Sequence, residues 1–330
     1  MMSAAAAGLF RTGLIRPLSF AAGYTSREAA FMIMTYHRVN DEMDPFSAAV
    51  PTQVFEQHMT YLARTHTVLT VEELAERMRR GRLPRNAVAI TFDDGYRDTL
   101  THAAPILARH GLPATVFLAT GFIGTGEVPW FHRVISAFKR TTLLSFAAPW
   151  SGRLSLSDQS GRFLAIERTL RHLKDLPEDR SRAQLDSLLE ELNVTDQLDS
   201  KDLMLNWDDV QALTGLGFSI GAHTVSHPIL SRVDRDRAWS EIHESRAMIE
   251  STCGRNPQAF AYPNGGDDDY TKAVIGLVRQ AGFTCAVTTR FGLNTLATSP
   301  YELRRGGPWE YHLPTFALKL AWYRAWRSEK

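Results

Sequence analysis

The chain has 330 residues, 44% hydrophobic and 22% charged, with 37 Lys and Arg against 36 Asp and Glu for a formal charge of +1. That length holds one large α/β domain or two smaller ones, and the balanced charge excludes the basic surface of a nucleic-acid binder in favour of a neutral or locally polar partner. Cys253 and Cys285 are too few for a disulfide framework or a zinc ribbon and read as reduced, buried thiols, with a single disulfide as the alternative.

Residues 1–30 read as an N-terminal extension. Met1 to Ala22 is small, apolar and basic, but Arg11, Arg16 and Pro17 interrupt it before it reaches the continuous core of a signal peptide. No stretch approaches the roughly 18 uninterrupted apolar residues of a spanning helix. The expectation is a cytoplasmic protein without a transmembrane segment; an amphipathic surface-binding helix over residues 8–20, or export, is the alternative.

The first strand is Phe31 to Tyr36, and it runs straight into His37. Helical spacing over Gln53 to Thr65 and Val71 to Arg80 precedes a break at Gly81 and Pro84. Ala87 to Phe92 then has the apolar, β-branched run of a strand buried on both faces, and it stops on Asp93, Asp94 and Gly95. Leu100 to His110 reads as a helix and Ala114 to Ala119 as a strand, the spacing of a βαβ unit. Residues 122–206 leave this alternation: Trp130 to Phe146 and Gly161 to Leu192 carry helical patterns, read as an insertion that either packs beside the site or covers it.

Alternation returns with a helix at Trp207 to Thr214, a strand at Gly217 to Gly221, and the loop Ala222-His-Thr-Val-Ser-His-Pro228. A helix over Arg232 to Ser251, a strand over Gln258 to Tyr262, a helix over Asp269 to Ala281 and a strand over Phe283 to Thr288 follow, with Leu303 and its two arginines on a last strand. Six or seven parallel strands without a glycine-rich dinucleotide fingerprint favour an α/β fold of the distorted (β/α) barrel type over residues 31–310, with a helical insertion and a C-terminal helix in 311–330. That helix docks on the barrel or touches a membrane surface. Trp130, Trp207 and Trp309 serve either core packing or stacking on sugar rings.

Asp-Asp-Gly alone is common turn chemistry. Its place at a strand's carboxyl end, where α/β proteins keep their active sites, changes its meaning. His223 and His227, also in a loop leaving a strand, supply two imidazoles, and two His with a carboxylate are a frequent ligand set for catalytic zinc, with one position left open. Asp94 supplies the carboxylate, which leaves Asp93 free as a base for the attacking water.

Thr91-Phe-Asp-Asp-Gly95, His223-Thr-Val-Ser-His227 and Phe260-Ala-Tyr-Pro-Asn-Gly265 resemble the first three motifs of the polysaccharide deacetylase family, the NodB-homology or carbohydrate esterase family 4 enzymes. The resemblance runs from about Phe31 to Arg305 and is thinnest over 122–206. It implies a divalent metal, usually zinc, on Asp94, His223 and His227, and hydrolysis of N-acetyl groups from glycans such as chitin, chitooligosaccharides, peptidoglycan or poly-N-acetylglucosamine. Departures are visible: Ala261 and Asn264 stand where many members carry Arg and Tyr, and His312 does not match the C-terminal Leu-x-His motif. The nearest subgroup, with Tyr-Pro in the third motif, implies Arg305 as support for the base, the Asn264 backbone N–H as oxyanion donor and His37 as general acid. Competing readings are a catalytically impaired glycan-binding protein on the same fold and a metal-dependent amidase of a small non-sugar substrate.

Overall fold

The computed structural model describes residues 30–47, 49–194, 202–306 and 310–325, with side chains to Ala321 in the last helix. The expectations for residues 8–20 and for Trp309 fall outside this set. In chain order the first elements are β1 (Ala30–Tyr36), β2 (Arg38–Val39), β3 (Ala49–Val50), α1 (Thr52–Thr65), β4 (Thr67–Leu69), α2 (Val71–Arg79), β5 (Ala87–Phe92), α3 (Ala104–His110) and β6 (Thr115–Leu118). The insertion contributes α4 (Trp130–Arg140), β7 (Ser145–Ala148), β8 (Gly152–Ser155), α5 (Gln159–Asp175) and α6 (Glu178–Glu191). There follow α7 (Trp207–Gly215), β9 (Ser219–Ala222), α8 (Arg235–Cys253), β10 (Ala259–Ala261), α9 (Lys272–Gln280), β11 (Cys285–Val287), β12 (Asn294–Thr295) and α10 (Leu313–Ala325).

One eight-stranded sheet runs in the order β11-β10-β9-β6-β5-β1-β12, with β4 beside the first half of β5. Its strands are parallel except for β12, which pairs antiparallel with β1. Side chains alternate across a strand, and here the alternation sorts two cores. Phe31, Ile33, Ala89, Phe117, Ala261 and Val287 point one way and meet Leu74 and Met78 of α2. Met34, Ile90, Val116, Ile220, Phe260 and Ala286 point the other way, against Leu62 of α1, Leu213 of α7 and Ile242 of α8. A curled sheet with one set inside and helices outside is a barrel. The interior is narrow: a Cβ on Gly221 would stand 2.5 Å from the Phe117 ring.

Closure explains why the barrel is distorted. Between β11 and β1 lies the extended segment 303–306, in which the Leu303 N–H donates to Ala286 O (3.0 Å) and the Gly306 N–H to Ile33 O (3.0 Å). Leu303 thus bridges to Val287, as a strand position would, without a longer ladder.

Two sequence expectations need correction. Helix was expected through Phe146, but α4 stops at Arg140 and Phe146 lies in the β7–β8 hairpin. Its apolar residues are spaced for a second core, in which Phe138, Phe146, Leu154, Leu185 and Leu188 pack together. The helix expected from Asp269 starts at Lys272, because the Thr271 side chain caps Val274 N while Asp269 accepts from Gly266 N at 2.8 Å. Both cysteines are free, with Cys285 buried. No helix among the described residues is long and apolar enough to cross a membrane.

The C-terminal helix docks through an aromatic contact. Phe316 stacks on His58 at 3.8 Å and 7°, and His58 Nε2 bonds to Glu310 O at 2.9 Å. Burial pushes the His58 imidazole down to about 4 from 6.5, outweighing that carbonyl contact. A base whose folded pKa is depressed takes up its proton more readily in the unfolded chain, so its contribution is complete above pH 6.5 and declines as pH falls towards 4. Urea unfolding is expected to show about 2 kcal/mol lost through this group between pH 7 and pH 5. His58→Gln should flatten that slope; an unchanged slope would show that other groups set it.

Candidate active site and metal centre

β5 delivers two acids to one place by changing backbone conformation between them. The Asp93 N–H still donates to Tyr36 O (3.1 Å), so Asp93 keeps the sheet register and continues the inward series of Ala87, Ala89 and Thr91. Asp94 then turns into the left-handed region at φ 72°. Of the six non-glycine residues with positive φ among the described residues, Asp94, Thr224, His227 and Asn264 all lie in the strand-end loops of this site. For a β-branched residue such as Thr224 this conformation is a marked outlier, and strained backbone of this kind clusters at functional sites.

The histidine loop is held by its neighbours. The His223 N–H donates to Leu118 O (2.8 Å), and Thr120 and Gly121 N–H groups donate to the carbonyls of Thr224 (3.0 Å) and Val225 (2.8 Å). Only glycine allows that approach at position 121, where a Cβ would stand 2.8 Å from Val225 O. Inside the loop, Thr224 Oγ1 accepts from His227 N at 3.0 Å and donates to His223 O. His223 Nδ1 donates to Ala261 O at 2.8 Å, which leaves Nε2 with its lone pair turned to the site.

Asp94 Oδ1 lies 3.5 Å from His223 Nε2 and 3.4 Å from His227 Nε2, and one donor atom from each residue falls within 4.8 Å of the others. All three residues are buried, and Asp94 Oδ1 has no hydrogen-bond partner. A carboxylate oxygen kept dry and unpaired between two imidazole nitrogens fits a divalent cation, and the donor set suits zinc with an open position.

Arg305 comes up from the barrel interior onto the other acid. Its Nη1 and Nη2 donate to Asp93 Oδ1 and Oδ2, both at 2.7 Å, while Nε donates to Thr288 O at 2.9 Å and Nη1 also reaches Thr91 Oγ1 at 3.3 Å. The guanidinium is fully buried, 5.6 Å above the Phe117 ring. Burial alone would raise the Asp93 carboxyl, but the charge of Arg305 foremost, with that of His223 and the Arg305 hydrogen bonds, holds it below the usual carboxylate range. Asp94 is likewise raised by burial and carried well below its ordinary value by His223, His227 and His37. Two adjacent imidazoles do not share a positive charge in a dry site. Burial would lower both; contact with Asp94 raises His223, while burial and the charge of His223 bring His227 down to about 4.

His37 sits half-buried in the bend between β1 and β2, close enough that its charged form lowers the pKa of both acids. The next three residues hang on one carboxylate: Asp98 accepts from Arg38 Nε (2.7 Å), Val39 N (3.3 Å) and Asn40 Nδ2 (2.9 Å). Asn264, at φ 58°, has its carbonyl bonded by Thr289 Oγ1 (2.5 Å) and a buried side-chain Nδ2 with no partner. His312 stands apart from the site, bonding Thr315 Oγ1 at 2.9 Å as α10 begins.

Three supports escaped sequence reasoning. Asp98 is one. Glu241, buried on α8, is another: its Oε2 accepts from Val225 N and Ser226 N at 2.8 Å each, fixing the histidine loop from behind. Phe131, from the insertion, meets the His227 ring at 5.2 Å and 64°, so the insertion covers one of the three candidate ligands as well as packing its own core. Only Asp98 carried a signal, its position four residues after Asp94. Trp207 packs on the outer core.

Comparison with known proteins agrees with this geometry. The polysaccharide deacetylase family model matches residues 80–286. YxkH of Bacillus subtilis (strain 168), named for the same family, is 34% identical over 283 residues, covering 85% of this chain and 72% of that protein. A poly-β-1,6-N-acetyl-D-glucosamine N-deacetylase of Staphylococcus epidermidis is 30% identical over 117 residues, which is 31% of this chain and 39% of that protein. In fold, the chain matches IcaB from Ammonifex degensii with a TM-score of 0.58 at 19% identity, covering 88% of this chain and 97% of that one. With the family model spanning both acids and both histidines, and a relative aligned along most of its length, the chain belongs to the polysaccharide deacetylase family.

Proposed function

We propose that this chain is a metal-dependent N-deacetylase of glycans containing N-acetylglucosamine, with poly-β-1,6-linked N-acetylglucosamine as its foremost substrate. The observation that carries the reading is the division of the two acids: Asp94 faces two histidines and Asp93 faces Arg305. The partial match to the staphylococcal enzyme supports the choice of polymer.

A divalent cation, zinc by preference, held on Asp94, His223 and His227 would polarise the acetyl carbonyl and ease ionisation of a water beside it. Asp93, kept ionised and oriented by the two-pronged Arg305 contact, takes the proton from the attacking water. The Asn264 backbone N–H, with the unpartnered Nδ2 beside it, offers donors to the oxyanion that develops on the carbonyl. His37 gives a proton to the departing sugar nitrogen, and the Asp98 clamp on residues 38–40 keeps it in place. Acetate and a free amino sugar result.

Acetate release tests the reading. The purified protein should liberate acetate from β-1,6-linked N-acetylglucosamine oligomers faster than from chitooligosaccharides or peptidoglycan fragments, lose that activity on chelation and regain it with zinc. Release that survives exhaustive chelation would refute metal dependence, and absence of release from every glycan would refute the deacetylase reading.

A further inference from the structure

The two histidines of the candidate metal centre are not held alike. His223 has its ring fixed from behind, with Nδ1 donating to Ala261 O at 2.8 Å. His227 also turns Nε2 towards Asp94, 3.4 Å away, which leaves its ring proton on Nδ1, and that atom is buried with no hydrogen-bond partner among the described residues. A metal-ligating imidazole ordinarily donates its second nitrogen to an oxygen that sets the direction of the ring. The direction of the His227 ring therefore falls to whatever holds its backbone and packs against it.

Two side chains do so. Left-handed backbone at Thr224 (φ 68°) and His227 (φ 58°) brackets Val225 and Ser226, whose N–H groups converge on Glu241 Oε2 at 2.8 Å each. The other oxygen, Oε1, accepts from Ser226 Oγ and from Arg237 Nη2, both at 2.6 Å. Four donors on one fully buried carboxylate make a rigid anchor for a loop whose backbone is costly to hold. The imidazole itself is met by Phe131 of α4 at 5.2 Å. Arg237 ties the two supports together, since the same Nη2 stands 3.6 Å from Oε1 of Glu178, the first residue of α6 in the insertion.

We infer that Glu241 and Phe131 are positioning residues for His227, and that the insertion is thereby part of the metal centre, holding one ligand in place of the hydrogen bond its ring lacks. The inference deepens the function proposed above and rests on its metal site.

Zinc affinity of the full chain, measured by competition with a chromophoric chelator, tests it. Phe131→Ala and Glu241→Gln should each weaken binding about 10–100-fold, the range for loss of a group that orients a ligand. Glutamine offers one acceptor oxygen where the carboxylate offers two. Phe131 is only half-buried, so its truncation leaves a folded protein to measure, and Phe131→Leu, which keeps an apolar contact, should recover most of the loss. Cobalt-loaded Phe131→Ala and Glu241→Gln should also differ from wild type in visible absorption, which follows ligand geometry and is not moved by a loss of stability alone. As a control, Leu154→Ala removes packing from the insertion's own core and should lower the melting temperature with zinc affinity unchanged. Wild-type affinity in both Phe131→Ala and Glu241→Gln would overturn the inference, as would an equal loss in Leu154→Ala, which would make the effect one of stability. A wild-type chain that binds no zinc would be a different failure, that of the metal site itself, and would take this inference with it.

Discussion

Replacing Arg305 with methionine is expected to destabilise the fold by about 3–5 kcal/mol, because it leaves the Asp93 carboxylate buried without its partner. The side chain it removes is fully buried and makes two 2.7 Å bonds to that carboxylate. The pH dependence follows in sign. Arg305 is the foremost of the groups that lower the Asp93 pKa against the opposing effect of burial. Without it burial prevails, the carboxyl holds its proton to higher pH, and the acidic limb of the deacetylation profile moves upward. Stability changes too: a depressed carboxyl contributes above its unfolded pKa and loses that contribution as pH falls through its folded one, so the variant should lose this acid-side dependence. Arg305→Lys keeps the charge but not the two-pronged geometry, and should fall between wild type and methionine. Circular dichroism melts and kcat/KM against pH check both parts. An acidic limb that stays in place in a folded Arg305→Met protein would remove Arg305 from the support of the base.

Much of this site is legible in the sequence because strands carry their own geometry. Alternate residues from Ala87 to Asp93 face the barrel interior, so a strand ending on two acids already places the first of them inward. His223 and His227 follow another parallel strand, and the sheet order puts β6 between that strand and β5. What the spacing does not contain is the backbone that aims the remaining groups. Left-handed conformations at Asp94, Thr224 and His227 are not legible in residue type: Asp and His adopt them more often than most side chains but still rarely, and β-branched Thr disfavours them. Arg305 illustrates the same limit from the other side. Its contact with Asp93 depends on segment 303–306 closing the barrel 212 residues away in sequence, and a segment held by isolated bonds to Ala286 and Ile33 lacks the periodic pattern by which a strand is recognised. Glu241 is further removed, since a buried carboxylate on the amphipathic helix α8 looks from sequence like one more charge on a solvated face. The β7–β8 hairpin was missed for a different reason. Its apolar residues face a private core in the insertion, and short strands with that burial read as a continuation of the helix before them.

The adjacent acids provide the sharpest experiment, because Asp93→Asn and Asp94→Asn alter neighbouring residues by the same small change and should fail in different ways. Asp94→Asn removes the only carboxylate of the candidate three-residue cation site formed with His223 and His227. It should reduce bound zinc, measured by elemental analysis after dialysis, well below one ion per chain. Asp93→Asn leaves that cluster intact, so zinc content should be retained while turnover falls by about 10²–10⁴, the usual range for loss of a general base. KM should change far less than kcat, since Asp93 is bonded to Arg305 and in the proposed reaction takes a proton rather than holding the sugar. Asparagine at 93 can still accept from one Arg305 nitrogen, which keeps the buried guanidinium partly satisfied and the protein measurable. The assignment rests on the contrast between the two variants. Equal loss of zinc in both would make Asp93 a ligand and leave the reaction without its base, whereas near wild-type turnover in Asp93→Asn would move the base to another residue.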